Sequence, residues 1–266
     1  MSAASSHRAV RTIGALLAVI ALVAAACGSS APALSDPKEI LTKAFEATQD
    51  AKSFHLVATV DGEFDMDLLG TGGGSMTLAG TSLEGDIDVA GQKLSLTFAV
   101  PALLGLIGEV IAVDEAAYVK TSFSGDKYQK MDAGDSGLPI DPSDPDASLA
   151  GFKEMLDEEG VDPTKLDDAD CGSAKCYVVQ VALTAAELAA LSGPDASDLP
   201  FEDGTLTITV MVDKATLHFA DVKIEVAAGT AATLTVAIAF SDWDKSVTIE
   251  APPADQVEEG GSLFPF

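Results

Sequence analysis

The sequence predicts an α+β protein: a curved antiparallel half-barrel sheet of about ten strands, with three helices covering its concave face. From Ser53 onward, apolar residues occupy every second position in many short segments, which is the period of a β-strand. Gly, Pro and Asp separate these segments. Three other segments carry apolar residues at helical spacing. Strands that alternate in this way bury one face and long sheets tend to curl, so the helices are expected over the buried face.

Caps and apolar spacing define the three helices. The first is predicted from Asp36 to Asp50, where Asp36 can cap the helix and Pro37 suits its first turn. The second is predicted from Leu149 to Gly160 because its apolar residues share one face. Thr184 and Glu187 form a capping box for the third helix.

The strands are predicted from alternation between turn residues. They place a single domain over residues 37–253, followed by a loose tail over residues 254–266. The predicted strands are Phe54 to Val60, Ser75 to Leu83, Gly85 to Val89, Lys93 to Val100, Val110 to Val113, Ala117 to Thr121, Tyr128 to Met131, Tyr177 to Leu183, Leu206 to Val212, Thr216 to Ala227, Thr233 to Phe240 and Val247 to Glu250.

Residues 1–26 have the organisation of a lipoprotein signal peptide. Arg8 and Arg11 give a short positive segment, and the stretch from Ile13 to Ala26 contains no charge. That stretch suits the apolar part of a signal peptide and is shorter than the ~20 residues that a membrane span needs. Small residues then precede Cys27, which resembles a bacterial lipobox. An ordinary secretory signal with an A-x-A cleavage site before Cys27 is the alternative.

Cys27 is therefore predicted to carry a diacylglyceryl group with palmitate-type chains, and residues 27–36 to form a flexible tether. Two acyl chains bury enough methylene groups, at about 0.8 kcal/mol each, for stable anchoring. The protein is thus expected on the extracytoplasmic face of the cell membrane. Cleavage before Cys27 removes two arginines and no acid, so the acidic domain should stand off from an anionic leaflet.

The other two cysteines, Cys171 and Cys176, are separated by four residues. Outside the cytoplasm, such a pair favours a structural disulfide. A metal site is disfavoured because no histidine or second cysteine pair accompanies them. A thioredoxin-like redox motif needs two intervening residues rather than four.

Charge and motif content exclude several classes of function. The chain has 42 acidic and 15 basic residues, and this disfavours nucleic acid as a partner because phosphate binding depends on basic clusters. The sequence contains no nucleophile elbow, zinc-protease motif or P-loop, and DPSDPD at residues 141–146 departs from a calcium loop. His55 and His218 lie opposite apolar neighbours in strand patterns, which is typical of a sheet surface. We therefore expect no enzyme, no metal and no cofactor.

Four segments carry a family resemblance: KSFHLVATVDG (Lys52 to Gly62), AAYVKTSFSGDKYQKMD (Ala116 to Asp132), CYVVQVALTAAELAAL (Cys176 to Leu191) and FSDWDKSVTIEAPP (Phe240 to Pro253). In this order they resemble the LppX/LprG (LppX_LprAFG) family of bacterial envelope lipoproteins. The resemblance implies a LolA-like half-barrel that encloses an apolar cavity. It implies a carrier that binds an acylated lipid or glycolipid and moves it across the envelope. A structural or adhesive envelope lipoprotein with a closed core is the alternative.

The family's cavity has no short motif, so its lining is predicted from strand phase alone. A closed core made of the same residues is the alternative for each position. The expected inward residues are Leu94, Leu96, Phe98, Val181, Ile208, Val210, Leu234, Val236, Ile238 and Phe240.

The segment from Pro101 to Gly108 is apolar and interrupts the alternation. It is expected to cover a cavity mouth or touch a bilayer, with packing in the core as the alternative. We expect Leu103, Leu104 and Ile107 to gate the lipid. The predicted partners are the membrane, through the diacylglyceryl anchor, an acylated lipid or glycolipid, and a lipid exporter. A monomer is expected because helices cover the sheet.

Overall fold

The computed structural model of the chain describes residues 33–69, 73–132, 161–191 and 204–259. The predicted signal peptide, Cys27 and the predicted helix from Leu149 to Gly160 lie outside these residues. The described part of the chain therefore has two α-helices rather than the three predicted. Neither of them is long and apolar enough to cross a membrane.

Both helices begin at the predicted caps. Helix α1 spans Pro37–Gln49, and the backbone N–H of Glu39 donates to Asp36 Oδ1 over 3.0 Å. Helix α2 spans Ala185–Leu191, and Glu187 Oε2 accepts from both the backbone N–H and the hydroxyl of Thr184, each over 2.7 Å. These bonds satisfy N–H groups that a helix start leaves without partners. Two short 3₁₀ helices occur at Met66–Leu69 and Ala254–Gln256.

The described residues form fourteen strands in one sheet. They are β1 Ser53–Asp65, β2 Ser75–Thr77, β3 Thr81–Asp88, β4 Lys93–Val100, β5 Leu106–Val113, β6 Ala116–Thr121, β7 Tyr128–Asp132, β8 Thr164–Lys165, β9 Ala169–Cys171, β10 Ala174–Thr184, β11 Thr205–Asp213, β12 Phe219–Ala228, β13 Ala232–Ser241 and β14 Val257–Glu259.

The sheet is open and curved, with the order β14-β7-β6-β5-β4-β3-β1-β13-β12-β11-β10-β8. Strand β2 pairs with β1 and β9 pairs with β10, outside that order. All pairs are antiparallel except β14 with β7. The number of strands exceeds the predicted ten in part because β8, β9 and β14 have only two or three residues, too few to show alternation.

Several predicted strand boundaries are wrong. The predicted strand from Ser75 to Leu83 breaks at a turn over Ala79 and Gly80, and β3 continues through Gly85 to Asp88. Strand β5 begins at Leu106, so part of the segment predicted as a loop is extended. The residues before Phe219 form a turn rather than the start of β12.

One face of the sheet, here called the apolar face, carries the main core. Leu56 on β1, Leu96 on β4 and Val110 on β5 belong to one buried cluster on this face. Helix α1 lies against β10 and β11, and its Phe45 ring meets the Phe219 ring of β12 edge-on at a centroid distance of 5.2 Å. The apolar alternation thus accounts for the face that the helix covers.

A smaller cluster lies on the opposite face. Ile111 and Val113 of β5 and Tyr128 of β7 pack there against Ile249. The predicted strand from Val247 to Glu250 is irregular, but it still supplies this buried residue. Residues 254–259, assigned to a loose tail from the sequence, hold a 3₁₀ helix and β14.

Candidate functional site

The apolar face is only partly buried where it crosses strands β12, β13, β1, β3 and β4. Ten apolar residues there form a continuous surface, which we call the strip. By cross-strand register, these side chains lie on one face and contact one another in rows. The strip consists of Val222, Ile224, Val226, Leu234, Val236, Ile238, Ala58, Val60, Leu83 and Phe98.

The register shows how the rows run. Val222 pairs with Ile238, which pairs with Ala58, and the row continues through Leu83 to Phe98. With neighbouring strands about 4.8 Å apart, this row crosses roughly 19 Å of sheet. Beyond Phe98, the row meets Gly108, where a Cβ atom would lie 2.3 Å from the Phe98 ring. Glycine at this position therefore leaves room for the Phe98 ring.

Aromatic rings fill one end of the apolar face. Trp243 lies 5.0 Å from Phe54 and 5.9 Å from Phe240, measured between ring centroids, and it stacks on His218 at 4.5 Å. The indole N–H donates to the backbone carbonyl of Phe219 over 3.1 Å. This cluster packs the end of the sheet at which β1 begins and β13 ends. His218 therefore lies in an aromatic cluster before β12, and its prediction as a sheet-surface histidine is wrong.

Exposed apolar side chains project at the other end of the sheet. Leu103, Leu104 and Ile107 have relative exposures of 40%, 89% and 61%, and Phe123 of the β6–β7 turn has 45%. We call these four residues the tip. A hydrogen bond of 2.8 Å from the backbone N–H of Ser122 to the carbonyl of Ile107 joins the β6–β7 turn to the β4–β5 turn, which carries Leu103 and Leu104. The tip follows the end of β4 at Val100, two residues beyond Phe98 of the strip, so the strip and the tip lie toward the same end of the sheet. By register, the Ile107 side chain is on the face opposite the strip.

One polar side chain interrupts the apolar face beside the strip. Thr81 lies directly opposite Val60, and its Oγ1 atom is inaccessible to solvent. Within the described residues and without water, this hydroxyl has no hydrogen-bond partner. A buried hydroxyl without a partner is unfavourable. A ligand oxygen would reach this solvent-inaccessible atom only after neighbouring side chains move aside.

The ten residues predicted to face inward all lie on the apolar face, but their burial separates them into two groups. Five are fully packed: Leu94, Leu96, Val181, Ile208 and Val210, with exposures of 1–5%. The other five, Phe98, Leu234, Val236, Ile238 and Phe240, are partly buried. Only the second group offers surface that a ligand could contact in this structure.

The strip and the tip also include residues that the sequence prediction omitted. Val222, Ile224 and Val226 alternate with charged Lys223 and Glu225 along β12, so the strand period would have identified them. Phe123 is a single apolar residue in a turn, and nothing in its local sequence connects it to the β4–β5 turn.

A second candidate pocket, of about 490 Å³, lies on the opposite face beside the tip. Glu109, Lys120 and Asp126 are its charged lining residues. Lys120 Nζ lies 3.6 Å from Glu109 Oε2, which also accepts a hydrogen bond of 2.7 Å from the hydroxyl of Tyr128. Burial and the hydrogen bond to Glu109 raise the pKa of Tyr128. Among the described residues, no three His, Cys, Asp or Glu side chains are grouped as metal ligands.

The predicted disulfide between Cys171 and Cys176 is present, with its Cα atoms 5.9 Å apart. Nearby, Asp168 accepts hydrogen bonds from Lys214 and, over 2.9 Å, from Lys165. The hydrogen bond from Lys214 lowers the pKa of Asp168 most, and the bond from Lys165 lowers it further. These contacts join β8, β9 and β10 to the turn after β11, outside the strip.

A family model for the LppX_LprAFG lipoproteins matches residues 36–249, which is most of the chain and includes the whole strip. The chain belongs to the LppX_LprAFG lipoprotein family. The family predicted from the sequence is therefore confirmed. Among curated proteins, none matches the chain.

Two mycobacterial crystal structures resemble the fold. LprF from Mycobacterium bovis is 19% identical, and the match covers 85% of this chain and 99% of that chain with a TM-score of 0.54. The lipoprotein LppX from Mycobacterium tuberculosis is 15% identical, and the match covers 80% of this chain and 98% of that chain with a TM-score of 0.51. At these identities the likeness concerns the fold alone.

Proposed function

We propose that this family member is a lipoprotein, anchored through Cys27 on the extracytoplasmic face of the membrane, that binds an acylated lipid or glycolipid on the strip. In this proposal, the domain over residues 37–253 carries the lipid across the cell envelope. The observation that supports lipid binding is the partly buried strip across five strands, because a closed core would bury these residues fully.

The dimensions and chemistry of the strip suit an acyl chain. Its longest row spans roughly 19 Å, and one leaflet of a bilayer core is about 15 Å thick. A chain of about 16 carbons in water is unfavourable by on the order of 12 kcal/mol, at about 0.8 kcal/mol per methylene. A partly covered apolar surface recovers much of this free energy and so lowers the barrier to moving the lipid through water.

Thr81 offers a polar contact within this apolar surface. Its hydroxyl lies on the same row as Val60, Val236 and Ile224. Once the side chains that cover Thr81 Oγ1 move aside, an ester or hydroxyl oxygen at the head of an acyl chain would give this hydroxyl the partner that it lacks among the described residues. The head group would then lie near the end of the sheet that carries the tip.

Native mass spectrometry of the chain produced in its own kind of cell, followed by lipid extraction, tests the proposal. We expect a non-covalent adduct with the mass of an acylated lipid, in addition to any covalent group on Cys27. A chain without such an adduct, and with a melting temperature that added fatty acid leaves unchanged, would instead support a structural envelope lipoprotein with a closed core.

A further inference from the structure

The most exposed apolar side chains of the described residues converge on one small surface. Four of the five large apolar residues with more than a third of their surface exposed belong to the tip, and the fifth is Leu166. Isolated exposed apolar residues are common, but contiguous ones mark a surface that contacts something.

The backbone holds the tip in an unfavourable exposed arrangement. Leu104 has a φ of 55°, a left-handed conformation that is uncommon for a residue with a Cβ atom. The turn is closed by hydrogen bonds of 3.0 Å, from the N–H of Leu103 to the carbonyl of Val100 and from the N–H of Gly105 to that of Pro101. Six other described non-glycine residues share this conformation, but Leu104 combines it with an apolar side chain that is 89% exposed, and this motivates a functional hypothesis for the turn.

Charge distinguishes the tip from the rest of the protein. The two turns, from Val100 to Gly108 and from Thr121 to Gly125, contain no charged residue, although the chain has a net charge of −27. Lys120 and Lys127, near the second turn, are paired with glutamates over 3.6 and 3.1 Å, and the exposed Asp126 directly follows this turn. The two turns are therefore an uncharged apolar surface on an acidic domain, with the Asp126 carboxylate at their edge. They can approach an anionic leaflet more closely than the remainder of the domain.

We infer that the tip inserts into the surface of a lipid bilayer, so that the strip opens toward the membrane. This inference rests on the proposed function and names the surface from which the strip receives its lipid. A bilayer is favoured over a protein partner because protein interfaces concentrate their binding on Trp, Tyr and Arg, none of which occurs in the two turns. A tether over residues 27–36 would reach at most roughly 35 Å, which keeps the domain beside the bilayer.

Fluorescence quenching in vesicles tests the inference. The full chain carrying Leu104→Trp is reconstituted into vesicles of phosphatidylcholine and phosphatidylglycerol, with the phosphatidylcholine brominated on its acyl chains. The matched control is Leu166→Trp, at an exposed apolar position outside the tip. The wild-type chain reports on Trp243 alone, at the other end of the sheet. We expect blue-shifted emission and strong quenching for Leu104→Trp, and little quenching beyond wild type for Leu166→Trp.

Different outcomes separate the inference from the proposed function. Equal quenching of Leu104→Trp and Leu166→Trp would overturn bilayer insertion, even if lipid still co-purifies with the chain. Strong quenching of Leu104→Trp in a chain that never takes up a fluorescent fatty acid would support insertion and contradict lipid binding on the strip. If Leu104→Trp is shielded from iodide without vesicles, in a chain that sediments as a dimer, the tip binds a second copy and the inference is overturned.

Discussion

Replacing Val236 with aspartate should weaken fatty acid binding by about a hundredfold. Val236 lies in the middle of the strip, paired with Ile224 on one side and Val60 on the other. Its side chain is partly buried, so an acyl chain laid across the strip would cover the remaining surface. The substitution removes this contact and obliges the lipid to desolvate a carboxylate.

The expected magnitude follows from these two effects. Losing part of the 1.5–3 kcal/mol available from burial of a valine side chain weakens binding by about 1 kcal/mol. Desolvating the carboxylate adds at least about 2 kcal/mol. The sum of about 3 kcal/mol corresponds to roughly a hundredfold in the dissociation constant, since about 1.4 kcal/mol is tenfold. Titration with a fluorescent long-chain fatty acid measures this constant directly.

Ala237→Asp is the matched control, because Ala237 is exposed and points to the opposite face one residue along the same strand. It should leave the dissociation constant within about threefold of wild type. Val236→Trp fills the strip without adding charge and should also weaken binding, which separates loss of space from charge. If Val236→Asp and Ala237→Asp bind fatty acid equally well while both melt like wild type, the acyl chain does not lie on the strip.

Three further predictions concern stability and anchoring. The hydrogen bonds that lower the pKa of Asp168 stabilise the fold above the pKa of an unfolded Asp, about 3.9. Wild type should therefore melt at a higher temperature than Asp168→Asn at neutral pH, and this difference should shrink as the pH falls below the unfolded pKa of about 3.9. A difference in melting temperature that does not depend on pH would contradict the prediction. Replacing Cys171 and Cys176 with alanine should lower the free energy of unfolding by about 2 kcal/mol in urea titrations, and unchanged stability would refute this. Cys27→Ser should abolish palmitate labelling and release the protein from the membrane fraction; retention there would exclude Cys27 as the anchor.

Strand periodicity predicted the face of the sheet on which each candidate residue lies, but not its degree of burial. Leu94 and Val236 both follow the strand alternation and lie on the same face, yet Leu94 is 1% exposed and Val236 is only partly buried. The difference depends on which elements pack over each strand, and this is a tertiary property. Sequence alone could therefore predict a lining but could not distinguish the strip from the closed core around it.

Contacts between distant turns were also beyond the sequence. The tip depends on hydrogen bonds between Ile107 and Ser122, which bring Phe123 beside a turn that lies well before it in the chain. By contrast, the caps at Asp36 and Thr184 are local patterns of four residues, and the structure confirms both. Local rules predicted the local features, while the arrangement of the candidate site required the register of the sheet.

Methyl NMR of the chain labelled at Ile, Leu and Val, titrated with a long-chain fatty acid, tests the central claim most directly. The account predicts that the methyl signals of Ile224, Val236 and Ile238 shift during the titration. The signals of Ile111 and Ile249, buried on the opposite face, should stay unchanged. Shifts confined to the opposite face, or no methyl shifts at all, would contradict the assignment of lipid binding to the strip.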